Sequence, residues 1–325
     1  MDEQSAPRCS VVVAAHNSAR TVAATIASVR LQTLDDWELI VVDDGSSDRT
    51  AEIVETIDDA RIRLVRQANR GPSAARNAGL RLARGRLIST LDSDDLWMPN
   101  YLEHMAGVLD RHPDAGVAYT DAWALDDATG RIRKTSAMRY QRPPVSPPAA
   151  PPAFLAALLE RNFVYNSVTM RREVVEAVGG YDEWFWVAED WELWLRIASK
   201  GFRFVRADDL LAIYRHRAGS LHTQHERMFA GNCRVYELVE NEWDVPAEIK
   251  EQARLLASVY RRKANGVRGF SGRDPLALAR IVKRAVERRT LWYGSPPREV
   301  AVALDAIDAL VAGGTGHGAA LQHRN

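Results

Sequence analysis

The sequence predicts an α/β protein: a mostly parallel, Rossmann-like central sheet flanked by helices, followed by an α-helical C-terminal extension. Three observations carry this. Short apolar runs alternate with helical patterns through the first hundred residues, as in successive βαβ units. Several of those runs end in Asp, Asn or Ser, the residues expected where open α/β sheets bind ligands, beyond the carboxyl ends of the strands. From about residue 226 onward, strand patterns give way to helical ones.

The elements follow in order. Ser10 to Ala15 is a short apolar strand, and Asn17-Ser18 offers a cap to a helix on which Val22, Ile26 and Val29 recur. Glu38 to Val42 is a second buried strand, ending in Asp43-Asp44-Gly45-Ser46-Ser47-Asp48. Ala51 to Ile57 reads as a helix, Arg61 to Val65 as a half-exposed strand, and Pro72 to Ala83 as a helix with Pro72 in its first turn. Leu87 to Leu91 is the next strand, ending in Asp92-Ser93-Asp94-Asp95, and Pro99 opens another helix. The proline-rich stretch from Gln141 to Ala153 reads as an exposed connection. Gly179 to Glu183 is a turn, Ala188 to Ile197 begins a helix with acidic residues in its first turn, and Phe202 to Val205 is a strand. Four helical patterns close the chain, at roughly 226–241, 246–266, 274–291 and 297–312. There is no internal repeat.

Composition is that of an ordinary globular protein, 46% hydrophobic and 26% charged over 325 residues. Lys+Arg and Asp+Glu are both 43, so no net charge points to nucleic acid, and no nucleic-acid partner is expected. Cys9 and Cys233 lie far apart without metal-type spacing, which suits a reducing compartment. No run of 18 apolar residues exists, and residues 1–8 are polar and lead into a strand. A cytoplasmic protein without a transmembrane helix or signal peptide is expected.

The strongest chemical signal is Asp92-Ser93-Asp94-Asp95. Burying carboxylates without partners costs several kcal/mol or more, so the cluster belongs at an open strand tip. Crowded hard oxygens suit Mg²⁺ or Mn²⁺, and such a cation commonly holds a substrate phosphate too. An acidic turn capping the next helix would leave the same trace. Successive strand residues face opposite ways, so Asp43 and Asp44 differ in role: one faces a ligand and the other holds the turn. Arg76, on the small-residue helix after Gly71-Pro72, is placed to meet a diphosphate or an acidic partner. No Gly-Lys-Ser/Thr follows that turn, so it is not a P-loop. Asp190, beside Glu189, Trp191 and Trp194, loses solvation and becomes a stronger base, or else only caps its helix. In the basic segment Tyr214 to His222, His216, His222 or an arginine would neutralise a departing phosphate or complete a metal shell.

The order of these motifs resembles the family 2 glycosyltransferases. It comprises Val11-Val12-Val13-Ala14-Ala15-His16-Asn17, Gln32-Thr33, Glu38 to Asp48, Ala75-Arg76-Asn77-Ala78-Gly79, Leu91 to Asp95 and Glu189-Asp190-Trp191. The resemblance spans about residues 8–222. It implies the GT-A fold over 1–222, with a nucleotide-binding half (1–120) and an acceptor-side half (121–222), and a separate helical region over 223–325. It implies an inverting transfer of sugar from a nucleotide diphosphate sugar, UDP-linked, to a hydroxyl acceptor such as a growing glycan or lipid-linked saccharide of the cell envelope. By resemblance, Ala14, Ala15, Asn17, Asp44, Arg76, Asp92 and Ser93 would bind the donor. Asp94, with Asp92 and His222, would hold Mn²⁺ or Mg²⁺, Asp190 would be the general base, and Glu189, Trp191 and His216 would support the acceptor side. His16 departs from the aromatic or threonine-like residue usual there. A nucleotidyltransferase of similar fold, or a non-catalytic sugar-nucleotide-binding protein, are the alternatives; the first lacks its glycine-rich, basic triphosphate loop here. The segment from Asp274 to Arg289 forms a basic amphipathic helix suited to peripheral membrane contact or to packing on its own domain.

Overall fold

The computed structural model describes residues 6–133, 137–138, 147–217, 225–268 and 296–314. In chain order the elements are β1 (Cys9–Ala15), α1 (Val22–Arg30), β2 (Trp37–Asp44), α2 (Thr50–Glu55), β3 (Ile62–Gln67), α3 (Pro72–Leu82) and β4 (Leu87–Asp92). Then come β5 (Leu96–Trp97), α4 (Tyr101–Arg111), β6 (Ala115–Asp126), β7 (Arg131–Ile132), α5 (Pro151–Glu160), β8 (Val168–Arg171) and α6 (Arg172–Val178). The chain continues through α7 (Glu189–Ser199), β9 (Arg203–His216), α8 (His225–Asn241), α9 (Ala247–Arg268) and α10 (Arg298–Gly314).

The strands form one sheet in the order β3-β2-β1-β4-β8-β6-β9-β5, with β7 paired to β6. β3, β2, β1 and β4 pair in parallel. β8 runs against both β4 and β6, and β9 runs parallel to β6. This is the GT-A architecture that the motif order implies, with a reversed strand at its centre. The reversal places the start of β8, not its end, beside the tip of β4.

Alternation along the strands feeds two cores. Leu39 and Val41 of β2 join Val11, Val13 and the inner faces of α1 and α4 on one side. Ile40 and Val42 face the other side, with α3, α5, α7 and α9. β2 is buried along its whole length, and each such Leu, Ile or Val side chain contributes about 1.5–3 kcal/mol. A third cluster packs α10 through Val300, Ala303 and Ile307 against Ala27, Leu96 and Ile213.

Three local readings change. Helix α1 starts at Val22 with Thr21 at its N-cap, not at Asn17-Ser18, because those two residues bond to the loops after β2 and β4 instead. The end of the proline-rich stretch is not connection: Pro151 and Pro152 occupy the first turn of α5, where a missing N–H costs nothing. The strand expected at Phe202 to Val205 runs on to His216 through irregular pairing with β6. The segment 274–289 lies outside the described residues. Among the described residues, no helix is long and apolar enough to cross a membrane.

Helix α3 is small-faced because it lies close on β1. A Cβ added at Gly79 would stand 2.4 Å from Val12 Cγ1, and Val12 is fully buried. Gly79→Ala should therefore lower stability by about 1–3 kcal/mol through overpacking, read as a lower urea midpoint at unchanged slope; an unchanged midpoint would contradict this packing.

Candidate active site

The tips of β1, β2 and β4 gather at one edge of the sheet, as their parallel pairing requires. Asn17 has φ +50, a left-handed conformation that Asn tolerates. It ties the first two tips together: its N–H donates to Ser46 Oγ (2.9 Å) and its Oδ1 accepts from Ser47 N–H (2.8 Å). The His16 Nδ1 lies 2.9 Å from the Asp44 carbonyl oxygen, and its Nε2 lies 3.1 Å from Asn17 Nδ2. Ala14 and Ala15 close β1.

Asp44 holds a turn. Its carboxylate accepts from Gln67 Nε2 (2.7 Å), Arg70 N–H (2.9 Å) and Gly71 N–H (2.8 Å). It thereby shapes the 67–71 loop leading into α3. Asp43 faces the opposite way, and its Oδ1 is buried without a hydrogen-bond partner among the described residues. Asp44 is thus the member of the pair that holds the turn, its carboxylate bonded by the 67–71 loop.

Arg76 is the hub. It is only 7% exposed, and donates to Asp92 Oδ1 (2.6 Å) and to Glu189 Oε1 (2.8 Å). Burial opposes its charge, but Asp92 and Glu189 outweigh this and hold the guanidinium protonated well above its ordinary value. The arginine foreseen as meeting either a diphosphate or an acidic partner meets two acidic partners.

The acidic cluster splits into distinct tasks. The ligand oxygens of Asp92, Asp94 and Asp95 all lie within 4.8 Å of one another. Asp95 is fully buried and bonded by Tyr165 Oη and by Arg215 N–H. Burial, then the neighbouring Asp94 and Asp92 charges, push its carboxyl well above the usual range; it supports the loop. Asp94 is bonded by Arg217 Nε (2.8 Å), and burial and the Asp92 charge raise its pKa despite that cation. Asp92 accepts from Asn166 Nδ2 as well as from Arg76. Ser93 Oγ pairs with Ser18 Oγ at 2.7 Å. The donor set is all hard oxygen and crowded enough to repel itself, which suits a divalent cation on Asp94 and Asp92. Asp95 is the least available of the three.

Asp190 is the second residue of α7, whose N-cap Ala188 is a non-glycine residue at φ +60. Its Oδ1 accepts the Trp191 N–H at 2.7 Å. Burial, then repulsion from Glu189, pushes its carboxyl up to about 7, the range in which a carboxylate serves as a general base near neutral pH. Trp191 is turned inward: its Nε1 donates to the Leu158 carbonyl (2.9 Å) and its ring packs on Tyr236. It supports α7 and is not presented to an acceptor. His216 lies at the end of β9, its ring 4.7 Å from that of Tyr214. His222 lies outside the described residues.

Three residues were missed in the sequence. Tyr165 and Asn166 precede a strand, and only the reversal of β8 brings them to the acidic cluster. Arg217 stood within the basic segment, but nothing in its spacing links it to Asp94, 123 positions away.

Comparison with known proteins gives the family and the fold. Residues 10–177 match the family model described as glycosyl transferase family 2. The succinoglycan biosynthesis protein ExoO of Rhizobium meliloti is 35% identical over 221 residues, which are 66% of this chain and 62% of that protein. The Escherichia coli UDP-Glc:alpha-D-GlcNAc-diphosphoundecaprenol beta-1,3-glucosyltransferase WfaP is 29% identical over 216 residues, 65% of this chain and 78% of its own length. The chain spans about half the length of the first curated relatives it matches. The fold is shared with the mannosyltransferase PcManGT of Pyrobaculum calidifontis, solved with GDP-Man and Mn²⁺: TM-score 0.57, 19% identity, 97% of this chain and 89% of that one covered. The family match over more than half of the residues assigns this chain to the family 2 glycosyltransferases.

Proposed function

We propose that this chain is an inverting glycosyltransferase that moves a sugar from a nucleotide diphosphate sugar to a hydroxyl of a saccharide or lipid-linked acceptor. The observation that carries the proposal is the buried Arg76 bridge, which joins the Asp92–Asp94 cluster to the helix start bearing Asp190. Two acidic centres with different tasks are thereby held at one sheet edge. WfaP, whose name specifies a UDP-Glc donor and a diphosphoundecaprenol-linked acceptor, favours UDP and a lipid-linked saccharide for this chain too. Peripheral membrane contact on the cytoplasmic side would serve such an acceptor.

The chemistry assigned to each residue follows from charge. The leaving group is a nucleoside diphosphate, which develops negative charge as the glycosidic bond breaks. A divalent cation on Asp94 and Asp92 would supply electrostatic stabilisation of that charge. The loops at the tips of β1, β2 and β4, with Ala14, Ala15, Asn17, Asp44 and Ser93, shape the donor side. Asp190 takes the proton from the attacking hydroxyl, and the Trp191 N–H bonded to its Oδ1 holds it in place. A single displacement inverts the anomeric centre and needs no enzyme nucleophile.

Ligand binding to the native state raises its melting temperature by mass action. A panel of UDP-, GDP- and dTDP-sugars, each with and without Mn²⁺, should give a rise of the melting temperature for UDP-sugars that depends on Mn²⁺. No shift with any nucleotide sugar would overturn the proposal, and a shift with GDP-sugars alone would overturn the choice of UDP.

A further inference from the structure

The loop between α6 and α7 presents two indoles to solvent. Trp184 is 61% exposed and Trp186 52%, whereas Phe185 between them is 1% exposed. Large aromatic side chains are rarely left so open, and an exposed apolar patch marks a binding surface more often than a lone exposed leucine does.

Slack in the chain does not explain the exposure, because the loop is bolted to α3. Asn77 Oδ1 accepts the Tyr181 N–H (2.8 Å), and its Nδ2 donates to the Tyr181 carbonyl (2.8 Å) and to Glu183 Oε1 (3.2 Å). Ser73 Oγ donates to the Phe185 carbonyl at 2.6 Å, and Arg70 donates to Glu183 Oε2 at 2.8 Å. The Trp186 ring rests on Gly71: a Cβ there would come within 2.9 Å of its Cε2. Trp184 packs edge-on to Phe185 (5.0 Å), with the Arg234 guanidinium 5.7 Å from its ring centre. Both indoles are thus held outward by groups beneath them.

Their position is informative. Gly71, under Trp186, is also a donor to the Asp44 carboxylate. Trp186 precedes Asp190 by four residues, which limits their separation to about 15 Å. The platform lies against the donor-side loop at Gly71 and within that chain distance of the base. A protein partner would need roughly 800 Å² on each side, far more than two side chains offer. A pyranose ring fits the scale. One of its faces is C–H, which suits the negative face of an indole, and its rim is hydroxyl, which suits the Arg70–Glu183 pair alongside.

We propose that Trp184 and Trp186 form the acceptor platform of this enzyme, stacking on a pyranose ring of a saccharide so that its hydroxyl reaches Asp190. This rests on the glycosyltransferase reading. Rigid aromatics bind with little ordering cost.

The probes are methyl β-D-glucopyranoside and methyl N-acetyl-β-D-glucosaminide, observed by saturation-transfer NMR with the full chain, UDP and Mn²⁺. The wild type should transfer saturation to the ring C–H protons of at least one glycoside. Trp184→Ala and Trp186→Ala should each weaken that binding about fivefold, and Trp186→Phe should restore most of it. The shift of melting temperature with UDP should be unchanged in all three variants, whatever the small loss of packing does to the unliganded value. The platform is overturned if the wild type gives no transfer, or if the alanine variants bind the glycosides as well as the wild type. It is also overturned if they lose UDP instead, which would give the indoles to the nucleotide. Failure of the wild type to bind UDP, with indole-dependent glycoside binding intact, would count against the donor assignment and leave the saccharide platform standing.

Discussion

Replacing Asp190 with Asn should lower kcat about 10²–10⁴-fold, the usual contribution of a positioned base, while the UDP-induced melting shift persists. The amide keeps the shape and can still accept the Trp191 N–H, so binding is spared and proton removal is lost. In the wild type, kcat should rise with pH to a plateau, with a midpoint set by the Asp190 carboxyl at about 7. The variant should lack that rise. The same carboxyl should mark stability with the opposite slope. Its folded value lies above the ordinary 3.8, so the native state holds the proton more tightly than the unfolded chain does. The contribution to stability is fully present below pH 3.8 and is lost as pH rises to about 7. Asp190→Asn should therefore melt higher than the wild type above pH 7 and equally near pH 3.5, a site residue that trades stability for function. A variant with wild-type kcat would remove Asp190 from the mechanism.

Arg76→Leu should be the most destabilising single change at this edge, by about 3–5 kcal/mol, the cost of stripping one partner from a buried ion pair. Asp92 and Glu189 would both lose the cation that now lies within 2.8 Å of each. Arg76→Lys should recover only part of the loss. An ammonium has the charge but not the planar fork that reaches two carboxylates in two directions. Denaturant unfolding checks the stability, and UDP binding by the Lys variant checks the site. Equal midpoints for the Leu variant and the wild type would mean that the bridge contributes nothing net.

Much of this edge is legible in the sequence. β2 and β4 each announce themselves as an apolar run stopped by carboxylates, and parallel pairing brings such stops together. Asp190 was legible because acidic residues beside Trp191 and Trp194 mark both a helix start and a desolvated carboxyl. What stayed hidden has a physical cause in each case. Asn17 reads as a cap, yet its side chain is captured by Ser47 from another loop. Trp191 reads as an aromatic beside an acid, and Trp186 carries no signal of its own. Only packing separates the indole bonded to the Leu158 carbonyl from the one resting on Gly71. Tyr165 and Asn166 escape because a reader looks for site residues after strands, and β8 delivers its site residues before one.

That reversed strand also sets the moment at which the catalytic edge comes into being. The bonds that complete the edge around it close long loops: 70 residues for Tyr165 with Asp95, 74 for Asn166 with Asp92, 113 for Arg76 with Glu189. Strands β1 to β4 are close in sequence and can pair early, whereas these contacts must wait for the second half of the chain and bear the entropy of closing it. On the ribosome, where the N-terminal part emerges first, the Asp92–Asp95 carboxylates would have Arg76 beside Asp92 but would lack Tyr165, Asn166 and Arg217 until the second half of the chain follows. The site is thus the last part of the sheet to assemble, and its charges become mutually tolerable only when the late-arriving side chains reach them.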